Sequence, residues 1–260
     1  MKDKILHHLP GDHPWQNHIH WFDTIDSTNT RAKQMILEGA PHGTVLIADH
    51  QTGGRGRMGR SFHSPQGVGV YMSVILRPQC TASQLMHLTC ATAVAACDAV
   101  EAATGMRPGI KWTNDLVCDQ RKIAGILTEL MTVGSEVCAV VGIGINCCQN
   151  EMDFSDDIRS FAGSLAMVTG KPIDRAVVAS ALIQAISAMD LTKKEEMMQT
   201  YRGDCITIGK DVSLLRADEI RHGHAVSVDD DGGLVVRFTN GSTETVQSGE
   251  ISVRGMYGYV

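Results

Sequence analysis

No run of apolar residues in this 260-residue sequence approaches the ~18 needed to cross a bilayer. The N-terminus also lacks the apolar stretch of a secretory signal. The expected address is therefore cytoplasmic, with no membrane partner. The eight cysteines, at 80, 90, 97, 118, 138, 147, 148 and 205, include no Cys-x-x-Cys pair, and several sit inside apolar runs. They read as reduced, small hydrophobes rather than disulfide or zinc ligands. The eleven histidines contain no His-Glu-x-x-His, which excludes a zinc-peptidase helix. Positive charge does not dominate either. Lys+Arg is 23 and Asp+Glu is 29, a net charge of −6. That argues against a general nucleic-acid coat, though not against a local basic site.

What is present suffices for a packed core. Hydrophobic residues make up 43% of the chain and charged residues 20%. At about 150 residues per domain, the length fits one to two domains. Residues 1–20 read as a loose lead-in that carries His7, His8, His13, His18 and His20. Residues 19–25 look like a short strand. A helix follows, capped by Ser27 or Thr28, carrying Ala32, Met35 and Ile36, and stopped at Gly39. Strands are expected over 44–49 and 68–76, and a helix over 83–104 with Leu85, Leu88, Thr92, Ala95 and Ala99 on one face. Three short strands come next, at 110–112, 116–118 and 122–130. The nearly all-apolar run 137–145 fits a strand covered on both faces. Helices are expected over 174–189 and 193–202. Hairpins dominate the middle, so the expected fold is α+β with a mixed or antiparallel sheet.

From residue 206 short β runs alternate with turn residues, among them 229–233 (Asp-Asp-Asp-Gly-Gly) and the hairpin dipeptide Asn240-Gly241. These predict a small appended β-barrel. The expected division is a lead-in over 1–20, a main domain over 21–205 and a C-terminal domain over 206–260.

Four stretches carry chemistry. Residues 53–60 hold four glycines and three arginines. Glycines let backbone approach a ligand, and arginines present fixed forks to carboxylate or phosphate oxygens. The stretch is not a Walker loop, because no Gly-Lys-Ser/Thr follows. Gly54, Gly56 and Gly59 have dinucleotide-fingerprint spacing, but Ser-Phe-His-Ser-Pro after Arg60 does not open a helix. A solvated loop is the plain alternative. In Lys111-Trp-Thr-Asn-Asp115, Asn114 and Asp115 suit a tight turn, or equally a phosphate site with a carboxylate for Mg²⁺. Lys122 opens an apolar strand containing Gly125. It is either an edge-guarding lysine or a ligand group beside a close backbone approach. Asn146 ends the strand Gly142-Ile-Gly-Ile-Asn146, as a terminator or a ligand reader. Cations thus gather in two separate stretches of an acidic chain, which suits a reaction that brings two anions together. Two unit charges ~4 Å apart repel by about 4 kcal/mol at an effective dielectric near 20.

Ser27-Thr-Asn29, the stretch 49–57 with its Gln51-Thr-Gly-Gly-Arg-Gly-Arg57, Lys111-Trp-x-Asn-Asp115, Arg121-Lys-Ile-Ala-Gly-Ile-Leu127 and Gly142-Ile-Gly-Ile-Asn146 occur in one order. Together they resemble the biotin protein ligases, from about residue 20 to the C-terminus. The resemblance implies a catalytic domain similar to class II aminoacyl-tRNA synthetases, followed by an SH3-like barrel. It implies ATP-dependent formation of biotinyl-5′-adenylate and transfer of biotin to a lysine of a biotin carboxyl carrier domain, with Mg²⁺ accompanying ATP. A lipoate or octanoyl transferase of the same superfamily is the alternative. By similarity Ser27, Thr28, Asn29, Gln51, Gly54, Arg55, Gly56, Arg57, Lys122 and Gly125 lie on the biotin side. Arg57 and Lys122 serve catalysis. Arg55, Arg57, Lys111, Asn114 and Asn146 face ATP, and Asp115 faces the metal. Some members carry an N-terminal helix-turn-helix and repress transcription. The ~20 residues before the first strand predict an enzyme-only form without DNA binding. A homodimer is left open. One departure is visible: the family usually has proline where Thr113 stands.

Overall fold

The computed structural model describes residues 1–78, 87–216, 219–247 and 250–253. Strands β1 (Ile19–Ile25), β2 (Thr44–Gln51), β3 (Gly69–Leu76), β4 (Gly109–Lys111), β5 (Asp115–Cys118), β6 (Arg121–Val133) and β7 (Glu136–Asn146) form one sheet in the order β1-β2-β3-β7-β6-β5-β4. β1 and β2 run parallel, and every other neighbouring pair is antiparallel. This is the α+β fold with a mixed sheet that the hairpin-rich middle predicts.

The position of β7, between β3 and β6, explains its nearly continuous apolar sequence. Ala139, Val141, Ile143 and Ile145 point into the main core. Cys138 and Val140 alternate with them and join a smaller cluster on the opposite face. Farther along, that opposite face carries Gly142 and Gly144 before Asn146, so β7 puts no bulky side chain there.

Helices α1 (Lys2–His8), α2 (Thr28–Leu37), α3 (Leu88–Thr104), α4 (Leu165–Thr169), α5 (Arg175–Ser187) and α6 (Lys194–Asp204) complete the main body. α1, α3, α5 and α6 contribute to the main core, and α2 covers the other face through Ala32 and Ile36. The Ser27 hydroxyl accepts from Thr30 N at 3.4 Å and caps α2. Asp174 accepts from Ala176 N at 2.8 Å and caps α5. Gly105, at φ 76°, closes α3 in the left-handed region that favours glycine. The earlier part of the helix expected over 83–104, with Leu85, lies outside the described residues, as does Cys80. The other seven cysteines are free. Burial pushes the Cys90 thiol up to about 12 and Cys118 up to about 11, so they behave as small hydrophobes.

Residues 1–20 are not the loose lead-in the sequence predicts. α1 packs on α5 with Ile5 only 1% exposed. Trp15, 6% exposed, lies against Gly43, where an added Cβ would come 2.1 Å from the indole Nε1. Histidine clamps both sides. His13 Nδ1 accepts from Trp15 N at 3.2 Å, and His42 Nδ1 accepts from Arg77 N at 3.1 Å. The misreading has a plain cause: the helical signal is one short turn pair, Ile5 and Leu9, set among polar residues.

Burial lowers the pKa of both His13 and His42 below the ordinary value of 6.5. The folded state therefore binds fewer protons than the unfolded chain over that window. Their stabilising share is complete above about pH 6.5 and is lost as pH falls through the lowered values. Thermal melts of the wild type are expected to drop between pH 7.5 and 5.5 by more than those of His13→Gln. Equal drops in the two proteins would remove His13 from this account.

Strands β8 (Asp211–Arg216), β9 (Glu219–Val228), β10 (Leu234–Phe238), β11 (Thr243–Val246) and β12 (Glu250–Val253) form a second, antiparallel sheet in the order β11-β10-β9-β8-β12. Asn240-Gly241 makes the β10–β11 turn, with Gly241 at φ 87°. Residues 254–260, expected within the appended barrel, lie outside the described ones. Among the described residues no helix is long and apolar enough to cross a membrane.

Candidate active site

The glycine end of the main sheet is organised by register. Lys111 pairs with Asp115, Asp115 with Gly125, and Gly125 with Gly144, so these four residues form one line across four strands. One row along, Leu127 and Ser73 flank Gly142. Cross-strand partners share a face. The row therefore presents a cation, a carboxylate and a glycine floor to one cavity of about 280 Å³.

Ser27, Thr28, Asn29, Gln51, Arg55, Gly56, Arg57, Lys111, Asn114, Asp115, Lys122, Gly125 and Asn146 all line it. Gly54 does not. A Cβ on it would come 2.4 Å from the Phe62 carbonyl oxygen, so this glycine gives room to the loop's own backbone rather than to the cavity. The loop doubles back as a small hairpin. Gly56 N donates to Arg60 O at 2.7 Å, and Phe62 N donates to Gly54 O at 2.9 Å. That course lays the Phe62 ring over Gly125 and Gly144, where an added Cβ would meet it at 3.4 Å and 2.4 Å. The glycine inside β6 thus marks a close approach by an aromatic ring and by the Lys122 side chain.

One end of the cavity is lined by neutral polar groups. Thr28 N and Oγ1 both donate to Gln51 Oε1, at 2.8 and 3.0 Å, and Gln51 Nε2 donates to Ser64 Oγ at 2.9 Å. Asn29 donates to Leu127 O and to Glu129, and accepts from Ser73 Oγ at 2.6 Å. Lys33 pairs with the same Glu129 at 2.8 Å. Burial alone would raise the Glu129 carboxyl, but Lys33 and Asn29 outweigh it and hold the group below its ordinary value. Glu129 thus stays ionised and fixes which way the Asn29 amide faces.

The other end is charged. Lys122 Nζ lies 2.7 Å from Asp115 Oδ1. Lys122 N donates to Phe161 O at 2.7 Å, and Gly163 N donates to Lys122 O at 2.9 Å, so the main chain there is fixed from both sides. Arg57 reaches the β4–β5 turn and donates to Thr113 Oγ1 and Asn114 Oδ1. The Trp112–Thr113 peptide in this turn is cis. Asn146 donates to Gly163 O at 3.0 Å and accepts from Gln149 at 3.0 Å, which ties the end of β7 to the cavity wall. The second sheet buttresses the charged end: Trp112 Nε1 donates to Gly232 O at 2.8 Å, in the β9–β10 turn.

Phe62, Ser73, Glu129, Gln149 and Phe161 were not singled out by sequence. Only Phe62 had an available signal, as an aromatic directly after the glycine-arginine stretch. The others act through cross-strand or loop neighbours that a linear reading does not reveal.

Comparison with known proteins agrees with this architecture. The biotin/lipoate A/B protein ligase family matches residues 21–146, and the biotin protein ligase C terminal domain matches residues 207–254. The bifunctional ligase/repressor BirA of Bacillus spizizenii is 35% identical, over 86% of this chain and 70% of that protein. The biotin–[acetyl-CoA-carboxylase] ligase of Mycobacterium tuberculosis is 31% identical, over 86% and 85%. The structure of biotin protein ligase from Aquifex aeolicus in complex with biotin and ATP is 31% identical, covers 91% of this chain and 98% of that one, and superposes with a TM-score of 0.77. Two domain matches, relatives named for biotin and a shared fold over most of both chains disfavour the lipoate alternative: the chain belongs to the biotin protein ligase family.

Proposed function

We propose that this protein activates biotin with ATP and passes the biotinyl group to a lysine of a carboxyl carrier domain. The single observation that carries the residue-level reading is that Arg57, Lys122 and Asp115, from three separate stretches, line one cavity whose far end is neutral and hydrogen-bonded. In the first step a biotin carboxylate oxygen attacks the α-phosphorus of ATP, the Pα–O–Pβ bond breaks, and pyrophosphate leaves. In the second the carrier lysine amine attacks the adenylate carbonyl. The acyl C–O bond breaks, AMP leaves, and the nitrogen sheds a proton as the amide forms.

The biotin carboxylate is the nucleophile, so the protein's contribution is positioning and charge stabilisation. Thr28, Asn29 and Gln51, with Ser27 at the helix cap, hold the biotin head group in this reading. Gly125 and Phe62 flank its body. Lys122 faces the meeting point of carboxylate and α-phosphate, and Arg57 closes over it. Arg55 and Gly56 belong to the same cover. Lys111, Asn114 and Asn146 lie on the nucleotide side. Residues 21–205 form the catalytic unit and 206–260 the appended one, which supports the nucleotide end through Trp112.

Mg²⁺ fits as a companion of the nucleotide. Among the described residues Asp115 is the one carboxylate lining the cavity, and no three His, Cys, Asp or Glu side chains gather into a metal cage. One carboxylate plus substrate phosphates is a common Mg²⁺ arrangement. When bound, the ion offsets charge on the departing pyrophosphate.

Incubation with biotin, MgATP and a carrier domain should give a streptavidin-reactive carrier. Without the carrier, mass spectrometry should find biotinyl-5′-adenylate on the protein. Absence of both with folded protein would end this reading.

The glycine floor supplies a selective test of the neutral end. An Ala Cβ at position 142 would come 2.1 Å from Asn29 Oδ1. Gly142→Ala must displace an amide already fixed by Ser73, Leu127 and Glu129. Overpacking of this kind costs about 1–3 kcal/mol, so biotin affinity should fall roughly 5- to 150-fold. Calorimetry should show ATP affinity nearly unchanged. Parallel loss of both ligands would place Asn29 outside the biotin end.

A further inference from the structure

Just past the end of β7 stands a glutamine that packing alone does not account for. Gln149 is 1% exposed, and its Nε2 donates to Asn146 Oδ1 at 3.0 Å. Its Oε1 is buried and meets no donor among the described residues. A methionine has nearly the same length and would leave no oxygen unpaired there, and an unpaired buried carbonyl costs stability. What the position gains from glutamine is therefore the N–H.

The direction of that bond is forced by its surroundings. Asn146 Nδ2 donates to Gly163 O at 3.0 Å. A carbonyl only accepts, so the nitrogen end of the Asn146 amide faces Gly163 and the oxygen end faces Gln149. Gly163 is held in turn, because its N donates to Lys122 O at 2.9 Å. Gln149 is held as well. Its carbonyl accepts from the buried Ser164 Oγ at 2.6 Å, and Ala166 N donates to Cys147 O at 2.9 Å. The chain at 147–149 and the start of α4 thus brace each other, with the Asn146 amide bonded at both ends.

We propose that Gln149 is a positioning residue that fixes the Asn146 amide end for end, and so sets where the nucleotide end of the cavity offers a hydrogen-bond donor and where it offers an acceptor. Asn146 lines the cavity from the face of β7 that carries Gly142 and Gly144. A primary amide has two hydrogens and two oxygen lone pairs. Gly163 takes one hydrogen and Gln149 one lone pair, so one of each remains, in fixed places. With Gly163 alone the amide is held at one corner and its broad terminal torsion is free to wander, which ligand binding must then order. The consequence for the nucleotide rests on the biotin-ligase reading above; the orientation of the amide does not.

Gln149→Met in the full chain tests this. It removes the N–H and the unpaired oxygen together, so the melt should change little. Calorimetry should show MgATP binding about three- to tenfold weaker, the effect of one net hydrogen bond. Biotin binding, read at the far end of the cavity, should stay within about twofold. In turnover the KM for ATP should rise while kcat and the KM for biotin hold. Asn146→Ala should weaken MgATP binding at least as much, and Gln149→Met added to it should cost nothing further, because Gln149 acts through Asn146. Losses that add in the double variant, or a folded Gln149→Met that binds MgATP as the wild type does, would overturn the proposal. Should Gln149→Met not fold, nuclear Overhauser contacts in the wild type decide. Contacts from the Asn146 side-chain amide hydrogens to Gly163 support the fixed orientation, and contacts to Gln149 in their place refute it. If the wild type binds neither biotin nor MgATP the enzyme reading fails, while the Overhauser contacts still decide the orientation.

Discussion

Lys122→Gln is expected to cut the rate of biotinyl-5′-adenylate formation by about 100- to 1000-fold, the usual loss when one preorganised charge-stabilising donor is removed. Attack on the α-phosphorus places two anions in contact. At the charged end Lys122 brings its ammonium 2.7 Å from Asp115. Its backbone is held by Phe161 O and Gly163 N, so the substitution removes charge without moving β6. Stability should change little. The Lys122 and Asp115 side chains are 29% and 19% exposed. Ion pairs in such partly solvated settings are worth only ~0–1 kcal/mol. The measurement is pyrophosphate release with biotin and MgATP, run beside a thermal melt. Lys122→Arg should recover part of the rate, since it keeps the charge and changes its geometry. A loss below about tenfold with an unchanged melt would remove Lys122 from the reacting centre, because a donor in contact with the transition state cannot be so cheap to delete.

The contrast with Glu129 shows what kind of residue a linear reading finds. Lys122, Arg57 and Asp115 stand out in sequence because each is a charge at the start of an apolar strand, in a glycine-rich loop or at a turn, where a ligand role competes with a structural one. Glu129 sits in the same strand as Lys122 but looks like a solvent-facing polar residue of an alternating pattern. Its partners Asn29 and Lys33 come from a helix about a hundred positions earlier. Pairing of that range is set by strand order, and strand order was not legible: nothing in the sequence states that β7 runs between β3 and β6. The longer elements were legible, because caps such as Ser27 and Asp174 and stops such as Gly105 are local chemistry, whereas the short α1 and α4 were not. Gly54 misled for the opposite reason. Its neighbours suggest a ligand approach, whereas what it faces is the Phe62 carbonyl eight residues on. Ordered motifs supplied the family; register supplied the site.

Trp15→Ala should produce the largest loss of stability of any change considered, and almost no loss of chemistry. The residue lies before position 21, where the family match begins, and sequence gives it no element to belong to. In the structure its indole fills the space over Gly43 and meets His13 and His42 edge-on, with ring centroids 6.0 and 5.6 Å away. It joins α1 to the main core through the cluster that includes Ile5, Ile19, Val45 and Ile47. A buried tryptophan cut to alanine typically costs about 3–5 kcal/mol, because apolar area is lost and the cavity cannot fully collapse. For a chain of this size that lowers the melting temperature by on the order of 10 °C. The cavity is on the opposite face of the sheet, floored by Gly125 and Gly144, so the adenylation rate measured well below the melt should stay within about twofold of wild type, as expected for distant, independent sites. Trp15→Phe should fall between, keeping the contact with Gly43 and losing part of the filled volume. A melt unchanged in Trp15→Ala would mean the first turn of chain is not docked in solution. A normal loss of stability joined to a large loss of rate would mean that the two faces of the sheet are coupled through strands such as β6 and β7, whose residues alternate between the core and the cavity.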